Sequence, residues 1–294
     1  EEFETNGLKV QTQYDPLWVI YWIAPWNFPF NQVLRAAVPN ILAWNTTIYK
    51  HASNTPIAWA KIEELFLKAW FPVWIYQNLF VLPSESEYIL SRKEVAWVNL
   101  TGSEWAGSAI WALAGKYLKP SVLELWWNDA FIVLKTDNIK KIAEEAIKAR
   151  ISNNWQKCNS SKRFIVLEKY YEDFCKYAVE YTKTLKIWDP MQAETQIWPM
   201  AKEFLLNEID SQVQKTVKEW AKLLIWGKRI DRKWYFYEPT ILVDVTPEMT
   251  SYKEEIFGPV ASIIKVKDVD EAIELANKSD FGLCWAVYWD DSEE

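Results

Sequence analysis

Tryptophan and glycine occur in reversed proportions in this chain. Its 294 residues include 20 Trp and only 7 Gly, whereas glycine makes up about 7% of residues in ordinary proteins. A chain that reverses direction at turns and helix ends needs residues with a positive φ, and glycine adopts that conformation without strain. The residues at these reversals therefore constrain the fold more than any other feature of the sequence.

Several tryptophans occupy positions where the neighbouring residues are typical of glycine. Trp44 follows an apolar run with helical spacing, where a helix usually ends on a left-handed glycine. The other suspect positions are Trp126, Trp127, Trp155, Trp188 and Trp198. A close-packed turn does not absorb the largest side chain in place of the smallest. We hypothesise that the codons here are UGA, which some bacterial lineages read as glycine and another variant code reads as tryptophan.

Composition and charge exclude several classes of protein. Half of the residues are apolar and a quarter are charged, which indicates a globular chain long enough for two domains. The net charge of -7 argues against a nucleic-acid partner, because phosphate binding needs clustered basic residues. Lys140, Lys141, Lys148 and Arg150 lie among acidic residues, so we expect them on a solvated helix face.

The termini and the cysteines indicate the compartment. The sequence lacks a long apolar run and a signal peptide, so we expect no membrane association and a cytoplasmic location. The three cysteines have neither metal-site spacing nor a disulfide pattern, and with a single histidine we expect no metal site. Cys175 and Cys284 are expected in the core. The chain is expected to be truncated at both ends.

Strand-like and helix-like segments alternate along the chain, which predicts an α/β fold. The predicted strands are 19–24, 46–50, 96–100, 122–125, 130–134, 164–167 and 260–266. The predicted helices are 32–43, 56–69, 103–117, 139–151, 168–185, 202–223 and 269–277.

Five motifs follow one another along the chain: PWNFP at 25–29, LTGSE at 100–104, LELWW at 123–127, NNWQKC at 153–158 and EEIFGPV at 254–260. In this order they resemble the motifs of the aldehyde dehydrogenase superfamily. LELWW corresponds to LELGG, and NNWQKC to an NxGQxC motif, when tryptophan is replaced by glycine. The flanking segments KHASN, FYEPT and VTPEM are most similar to those of bacterial succinate-semialdehyde dehydrogenases.

The resemblance implies two domains and an oligomer. Residues 1–127 correspond to a partial, Rossmann-like NAD(P)-binding domain with the start of an oligomerisation strand at 8–14. Residues 128–294 correspond to a catalytic α/β domain that is incomplete at its C-terminus. The complete protein is expected to be a homodimer or homotetramer.

The resemblance also assigns the chemistry to three residues. Cys158 is the candidate nucleophile, since a thiolate attacks a carbonyl carbon near neutral pH when its pKa is lowered. The side-chain amide of Asn27 and the backbone N–H of Cys158 would hold the oxyanion. Glu124 would be the general base that activates water to hydrolyse the thioester.

NAD or NADP is the cofactor that the resemblance implies. Lys50 would bind the adenine ribose, and Ser53 stands where NAD-preferring relatives often have Glu, so NADP remains possible. Ser103 caps a predicted helix whose N-terminus would receive the pyrophosphate. Two further segments complete the cofactor site. Glu255 and Phe257 would hold the nicotinamide ribose and border its ring, and Trp26 is the tryptophan that the family motif itself expects.

Arg35 is the candidate ligand for a substrate carboxylate, although a helix-surface Arg explains it equally well. Some succinate-semialdehyde enzymes have a second Arg six residues before the nucleophile. Ser152 is at that place here, and Arg150 is two residues earlier, which weakens the succinate-semialdehyde assignment. The alternative, if the tryptophans are real, is a catalytically dead relative or a binding-only remnant.

Overall fold

The computed structural model describes residues 2–5 and 7–289. The chain forms two compact units, Glu1–Leu125 and Trp126–Glu294, and the domain boundary expected after Trp127 lies next to that division. Each unit has its own sheet and core. The α/β class expected from the sequence is confirmed. Residues 290–294, where we expect a truncated end, lie outside the described part.

The first unit alternates parallel strands with helices after a short N-terminal hairpin. Its strands are β1 (Glu2–Thr5), β2 (Leu8–Gln11), β3 (Val19–Ile23), β4 (Thr46–Lys50), β5 (Tyr76–Leu79), β6 (Val95–Thr101) and β7 (Ser121–Glu124). Its helices are α1 (Asn31–Leu42), α2 (Pro56–Lys68), α3 (Ser86–Ser91) and α4 (Glu104–Lys116). The antiparallel pair β1–β2 is separate from the main sheet.

The main sheet of this unit has a change of direction at its centre. The strand order is β5-β4-β3-β6-β7, and all neighbouring strands are parallel. The chain builds outward from β3 to β5 and then returns to place β6 on the other side of β3. In such sheets ligands bind beyond the carboxyl ends of the strands, next to the point where the direction changes. Tyr21, Val98 and Leu90 pack on one face, and Val33, Tyr49 and Ile62 belong to a second cluster.

The second unit also consists of a sheet with helices. Its strands are β8 (Ala130–Lys135), β9 (Arg163–Leu167), β10 (Lys222–Ile225), β11 (Thr240–Val243), β12 (Val260–Val266) and β13 (Trp285–Trp289). Its helices are α5 (Ile139–Ile151), α6 (Glu168–Lys183), α7 (Glu203–Lys218), α8 (Thr250–Lys253) and α9 (Val269–Asn277).

The order of strands in this sheet brings two loops together. The strand order is β10-β11-β12-β9-β8-β13, and all neighbouring strands are parallel except β10 and β11, which are antiparallel. Every residue of β9 is buried, and Phe164 belongs to a core with Phe131 and Phe174. Because β9 and β12 are parallel neighbours, the loops that precede them lie at the same edge of the sheet. None of the helices described here is long and apolar enough to cross a membrane.

Tryptophan dominates the left-handed backbone of the described residues. Trp18, Trp44, Trp70, Trp155, Trp220, Trp226 and Trp234 have φ between 55° and 84° and make up most of the non-glycine residues with positive φ. A bulky residue in this region is an outlier, because its Cβ approaches a backbone carbonyl at a cost of about 1–2 kcal/mol. Glycine has no such cost.

Three helices end on one of these tryptophans in the same geometry. After α1, the N–H of Trp44 donates to Ile41 and the N–H of Asn45 donates to Asn40. The same pair of bonds closes α2 through Trp70, and α7 through Trp220. This is the Schellman motif, whose left-handed residue is usually glycine. A fourth described helix, α4, ends with the same pair of bonds on Leu118. Three of these four helix ends are therefore tryptophan, which supports the glycine hypothesis independently of the sequence motifs.

Buried indole groups also support the glycine hypothesis. In the described part of the chain, the indole N–H groups of Trp22, Trp127, Trp155 and Trp289 are buried without a hydrogen-bond partner. A buried indole N–H usually finds a partner, because leaving it unsatisfied costs about 1–3 kcal/mol. Glycine at these positions would bring no side-chain donor into the core.

Two sequence predictions fail here. The helix predicted over 202–223 ends at Lys218 and is followed by β10, because the left-handed Trp220 stops it. Cys175 is buried, as expected, but Cys284 is exposed. It lies just before β13, at the edge of the sheet, where neighbouring strands do not cover it on both sides.

We expect Trp44→Gly, Trp70→Gly and Trp220→Gly each to raise the free energy of unfolding by about 1 kcal/mol, since each change removes left-handed strain. Urea unfolding measures the change. Trp111→Gly is the matched control: Trp111 is exposed, but it lies inside α4. Glycine there loses helix propensity and should lower the stability by a few tenths of a kcal/mol.

A loss of stability in all three helix-end variants would remove the structural support for the hypothesis. The gene gives a second check. The codons for Trp44, Trp70 and Trp220 are expected to be UGA, and UGG at these positions contradicts the mis-decoding hypothesis.

Candidate active site

The carboxyl edge of the first unit's sheet collects most of the residues singled out in that unit. Four neighbouring strands contribute to this edge in the order β4, β3, β6 and β7. The residues at or just beyond their ends are Lys50, Trp26, Asn27, Ser103 and Glu124. The sheet therefore places them along one edge, on both sides of its change of direction.

The PWNFP segment forms the turn between β3 and α1. The backbone N–H of Ala24 donates to the carbonyl of Lys50 at 3.2 Å, which ties the start of this turn to the end of β4. Trp26 and Asn27 follow in the turn, and both are half-buried. The side-chain amide of Asn27 carries two N–H donors, as an oxyanion ligand requires.

Lys50 and Ser53 differ in their exposure. Lys50 is half-buried at the end of β4, and burial lowers the pKa of its ammonium. Its Nζ donates to the carbonyl of His51 at 3.3 Å. Ser53 is exposed in the turn before α2. This turn therefore presents a cation and a hydroxyl beside the sheet edge.

The start of α4 is the third part of this edge. Ser103 is the N-cap, and its Oγ accepts the N–H of Ala106 at 3.3 Å. Gly107 lets the helix approach the end of the sheet, because a Cβ there would lie 2.3 Å from Cδ2 of Leu125. The first turn of a helix leaves backbone N–H groups outside its own ladder, and these groups bind phosphate. Together with the ammonium of Lys50, these backbone N–H groups suit the phosphates of a dinucleotide.

Glu124 is held by Arg35 in this unit. Nη2 of Arg35 lies 2.9 Å from Oε2 of Glu124, and the Thr101 hydroxyl lies 3.5 Å from the same oxygen. The side chain of Arg35 is 54% exposed and that of Glu124 is 22% exposed. The candidate base and the candidate substrate ligand therefore contact each other, a contact that the sequence motifs do not predict.

Cys158 belongs to the loop between α5 and β9 in the second unit. The loop opens with three consecutive left-handed residues, Asn153, Asn154 and Trp155, with φ of 53°, 55° and 60°. Trp155 is buried in the unit's core. Oδ1 of Asn154 and Oε1 of Gln156 accept backbone N–H groups at 3.1 and 3.0 Å. These bonds fix the backbone that leads to the half-buried Cys158.

Arg150 fastens this loop to the EEIFGPV segment. The side chain is fully buried, which contradicts its expected place on a solvated helix face. Its guanidinium donates to the carbonyls of Ile256, Gly258 and Val260 at 2.8 to 3.1 Å. It also contacts the loop between α5 and β9 that contains the candidate nucleophile Cys158, here called the nucleophile loop, through the carbonyl of Trp155 and the hydroxyl of Ser160.

Burial lowers the pKa of Arg150 to about 9. The planar guanidinium satisfies its donors with main-chain acceptors, and this is what makes its burial tolerable. All the N–H donors of the Arg150 guanidinium are used in hydrogen bonds within the unit. Arg150 therefore has no donor left for a substrate carboxylate.

Glu255 forms a buried ion pair with a residue that the sequence motifs do not identify. Nζ of Lys162 lies 2.9 Å from Oε1 of Glu255, and the two side chains are 2% and 6% exposed. Lys162 also donates to the carbonyl of Cys158. Phe257, two residues beyond Glu255, is half-buried. Two basic residues opening an otherwise apolar strand, in SKRFIVL at 161–167, are the signal that points to Lys162.

Comparison with known proteins shows the family of this chain. Residues 1–294 match the aldehyde dehydrogenase family. The chain is 42% identical over 291 residues to succinate-semialdehyde dehydrogenase [NADP(+)] of Mycobacterium avium, covering 99% of this chain and 62% of that protein.

Solved structures give the same result. Succinic semialdehyde dehydrogenase from Streptococcus pyogenes, in complex with NADP+, is 36% identical with a TM-score of 0.96, over 99% of this chain and 64% of that one. An NAD-dependent aldehyde dehydrogenase from Sinorhizobium meliloti is 28% identical with a TM-score of 0.91, over 95% and 56%. The chain thus spans less than two thirds of the length of these relatives. It belongs to the aldehyde dehydrogenase family.

Proposed function

We propose that the complete protein oxidises an aldehyde to its carboxylic acid with NAD(P)+. The observation that carries the proposal is the nucleophile loop. Left-handed residues, two side-chain oxygens and the guanidinium of Arg150 fix the backbone around a half-buried cysteine in an NxxQxC segment. A nucleophile held in one geometry suits covalent catalysis.

In the proposed reaction, Sγ of Cys158 bonds to the carbonyl carbon of the aldehyde. The amide of Asn27 and the backbone N–H of Cys158 hold the resulting oxyanion. A bound nicotinamide supplies the hydride acceptor, and the protein supplies position and electrostatics. Glu124 takes a proton from water as that water attacks the thioester, which releases the acid and the thiol. One aldehyde, one water and one oxidised cofactor give one acid, one reduced cofactor and one proton.

NADP+ is the cofactor we favour over NAD+. Ser53 leaves the turn after β4 without the carboxylate that would repel a 2′-phosphate, and Lys50 supplies a cation nearby. The names of the Mycobacterium avium and Streptococcus pyogenes relatives, both given with NADP, support the same choice. Ser103 and the N-terminus of α4 would receive the pyrophosphate, Glu255 and Phe257 the nicotinamide riboside, and Trp26 would border the cofactor.

Succinate semialdehyde is the substrate we favour, again from the names of these relatives. Its free carboxylate needs a cation, and Arg35 is the candidate within the first unit. Because Arg35 also contacts Glu124, substrate binding and the position of the base would be linked. We further propose that the complete protein works in the cytoplasm as a homodimer or homotetramer.

A catalytically dead relative remains the competing proposal if the tryptophans are real. Trp155 is the observation that favours it, because this side chain is buried three residues before the candidate nucleophile and its N–H has no partner among the described residues. The two proposals are compared in the complete gene product, with and without glycine at the suspect positions. The glycine form below keeps Trp26 and carries glycine at the suspect positions of the sequence analysis (44, 126, 127, 155, 188 and 198) and at the seven tryptophans with positive φ.

In the glycine form, Cys158→Ser is expected to lower aldehyde-dependent reduction of NADP+ on the order of 10³-fold or more, because a hydroxyl is a far weaker nucleophile near neutral pH. The rate is followed by the absorbance of the reduced cofactor. Cys284→Ser is the matched control, because Cys284 is exposed, lies directly before β13 and belongs to none of the site motifs. It should leave the rate unchanged. Near-normal turnover in Cys158→Ser removes Cys158 from the mechanism.

Glu124→Gln is expected to produce a burst of reduced cofactor followed by a steady state slower by about 10²–10⁴-fold, because only hydrolysis of the thioester loses its base. Rapid-mixing kinetics resolve the two phases. Glu94→Gln, at an exposed position directly before β6 and so at the opposite edge of the sheet, should give wild-type steady-state rates. A normal steady state in Glu124→Gln would assign the base to another group.

Arg35→Gln is expected to raise KM for succinate semialdehyde by about tenfold or more and to leave KM for butanal nearly unchanged, since only the first aldehyde carries a carboxylate. Any effect through Glu124 should appear as an equal change in kcat for both aldehydes. Steady-state kinetics with the two substrates separate these effects. An equal rise in KM for both aldehydes contradicts the assignment of Arg35 to the substrate carboxylate.

A further inference from the structure

Lys162 is a buried cation that connects the Cys158 loop with the loop that carries Glu255. It lies directly before β9, four residues after Cys158, and its Nζ contacts both the carbonyl of Cys158 and the carboxylate of Glu255. The side chains of Lys162 and Glu255 are almost fully buried. Charges removed from water in this way are stable only when they are paired and hydrogen-bonded.

Arg150 already holds the two loops together, and it does so through main-chain carbonyls and the Ser160 hydroxyl. Lys162 differs because it contacts the Glu255 carboxylate itself at 2.9 Å. Like Arg150, Lys162 donates to a backbone carbonyl, that of Cys158. Unlike Arg150, it also places a positive charge directly against the Glu255 carboxylate.

We propose that Lys162 is a positioning residue that keeps the Glu255 carboxylate oriented for the cofactor ribose and, through the same ammonium, fixes the Cys158 carbonyl. The inference rests on the proposed function, in which Glu255 binds the ribose of the nicotinamide. Glu255 would accept the ribose hydroxyls most strongly as an anion, because hydrogen bonds to an ionised acceptor are roughly twice as strong as neutral ones.

The charged groups around the pair define how pH should act. Burial raises the pKa of Glu255, while the Lys162 ammonium, the N–H of Trp127 and the charge of Arg150 oppose that rise. Burial lowers the pKa of Lys162, and the negative charges of Glu255 and Asp129 oppose that fall. Removing the ammonium should therefore raise the pKa of Glu255 further, so that its carboxylate becomes protonated at a higher pH.

The test is the dissociation constant of NADP+ as a function of pH, measured by isothermal titration calorimetry on the glycine form of the complete protein. Lys162→Met is expected to weaken binding by about tenfold or more at pH 7. The loss should grow as the pH falls, because the Glu255 carboxylate protonates earlier. Lys162→Arg keeps the cation and should recover part of the affinity. In a Glu255→Gln background, Lys162→Met should weaken cofactor binding little further.

Arg163→Met is the matched control. Arg163 is an equally buried cation on the neighbouring position, but its guanidinium donates to the carbonyls of Asn128, Leu275 and Ala276. Its loss should lower the unfolding temperature without giving cofactor binding a new pH dependence. Calorimetric binding at a temperature where both variants are folded separates stability from positioning.

Folded Lys162→Met protein with wild-type affinity and pH profile overturns the inference. If Lys162→Met does not fold, Lys162→Gln takes its place, and failure of both neutral variants to fold makes Lys162 a structural residue and overturns the proposal too. A parent protein that binds neither NADP+ nor NAD+ contradicts the proposed function instead. The two failures are thus distinguishable.

Discussion

Left-handed backbone at chain reversals is the constraint on which this fold depends. The helices α1, α2 and α4, which follow the parallel strands β3, β4 and β6, each end on a single residue with positive φ, and α7 ends in the same way before β10. That residue is tryptophan after α1, α2 and α7 and leucine (Leu118) after α4, and the left-handed Trp155 shapes the loop that presents Cys158. The sheets form correctly around these points because the hydrogen bonds that close each helix involve backbone atoms, which are the same for tryptophan and glycine.

The two units position their functional residues by opposite means. The first unit uses the carboxyl edge of a parallel sheet, where a change of direction leaves room for a ligand and a helix N-terminus faces it. The second unit uses the loops that precede β9 and β12, and these loops need further hydrogen bonds to hold them together. Arg150 provides them by donating to carbonyls on both loops. A buried guanidinium is well suited to this task, since its rigid set of donors reaches several acceptors at once.

The sequence predicts regular elements well where apolar spacing decides, as at β4, α5, β12 and α9, whose bounds agree with the structure. It fails at α7, because a helix end is normally predicted from glycine and the residue at this helix end is Trp220. It also fails at β11, a short apolar run that spacing alone does not assign to a strand. Motif resemblance proposes Cys158, Glu124 and Asn27 as the catalytic residues, and these roles stay predictions. It does not identify Arg150 or Lys162, because burial of a basic side chain depends on acceptors far away in the sequence, such as the carbonyl of Ile256 for Arg150 and the carboxylate of Glu255 for Lys162.

The left-handed tryptophans have a consequence for reading the gene. A torsion angle is set by the fold and by neighbouring hydrogen bonds, whereas the identity assigned to a codon is a convention of translation. Among the described residues, the conflict between a bulky side chain and a left-handed backbone falls on seven tryptophans and on Leu118 at the end of α4. On the mis-decoding hypothesis, backbone geometry reports the meaning of a codon, and the turns of this chain would record the genetic code under which it evolved.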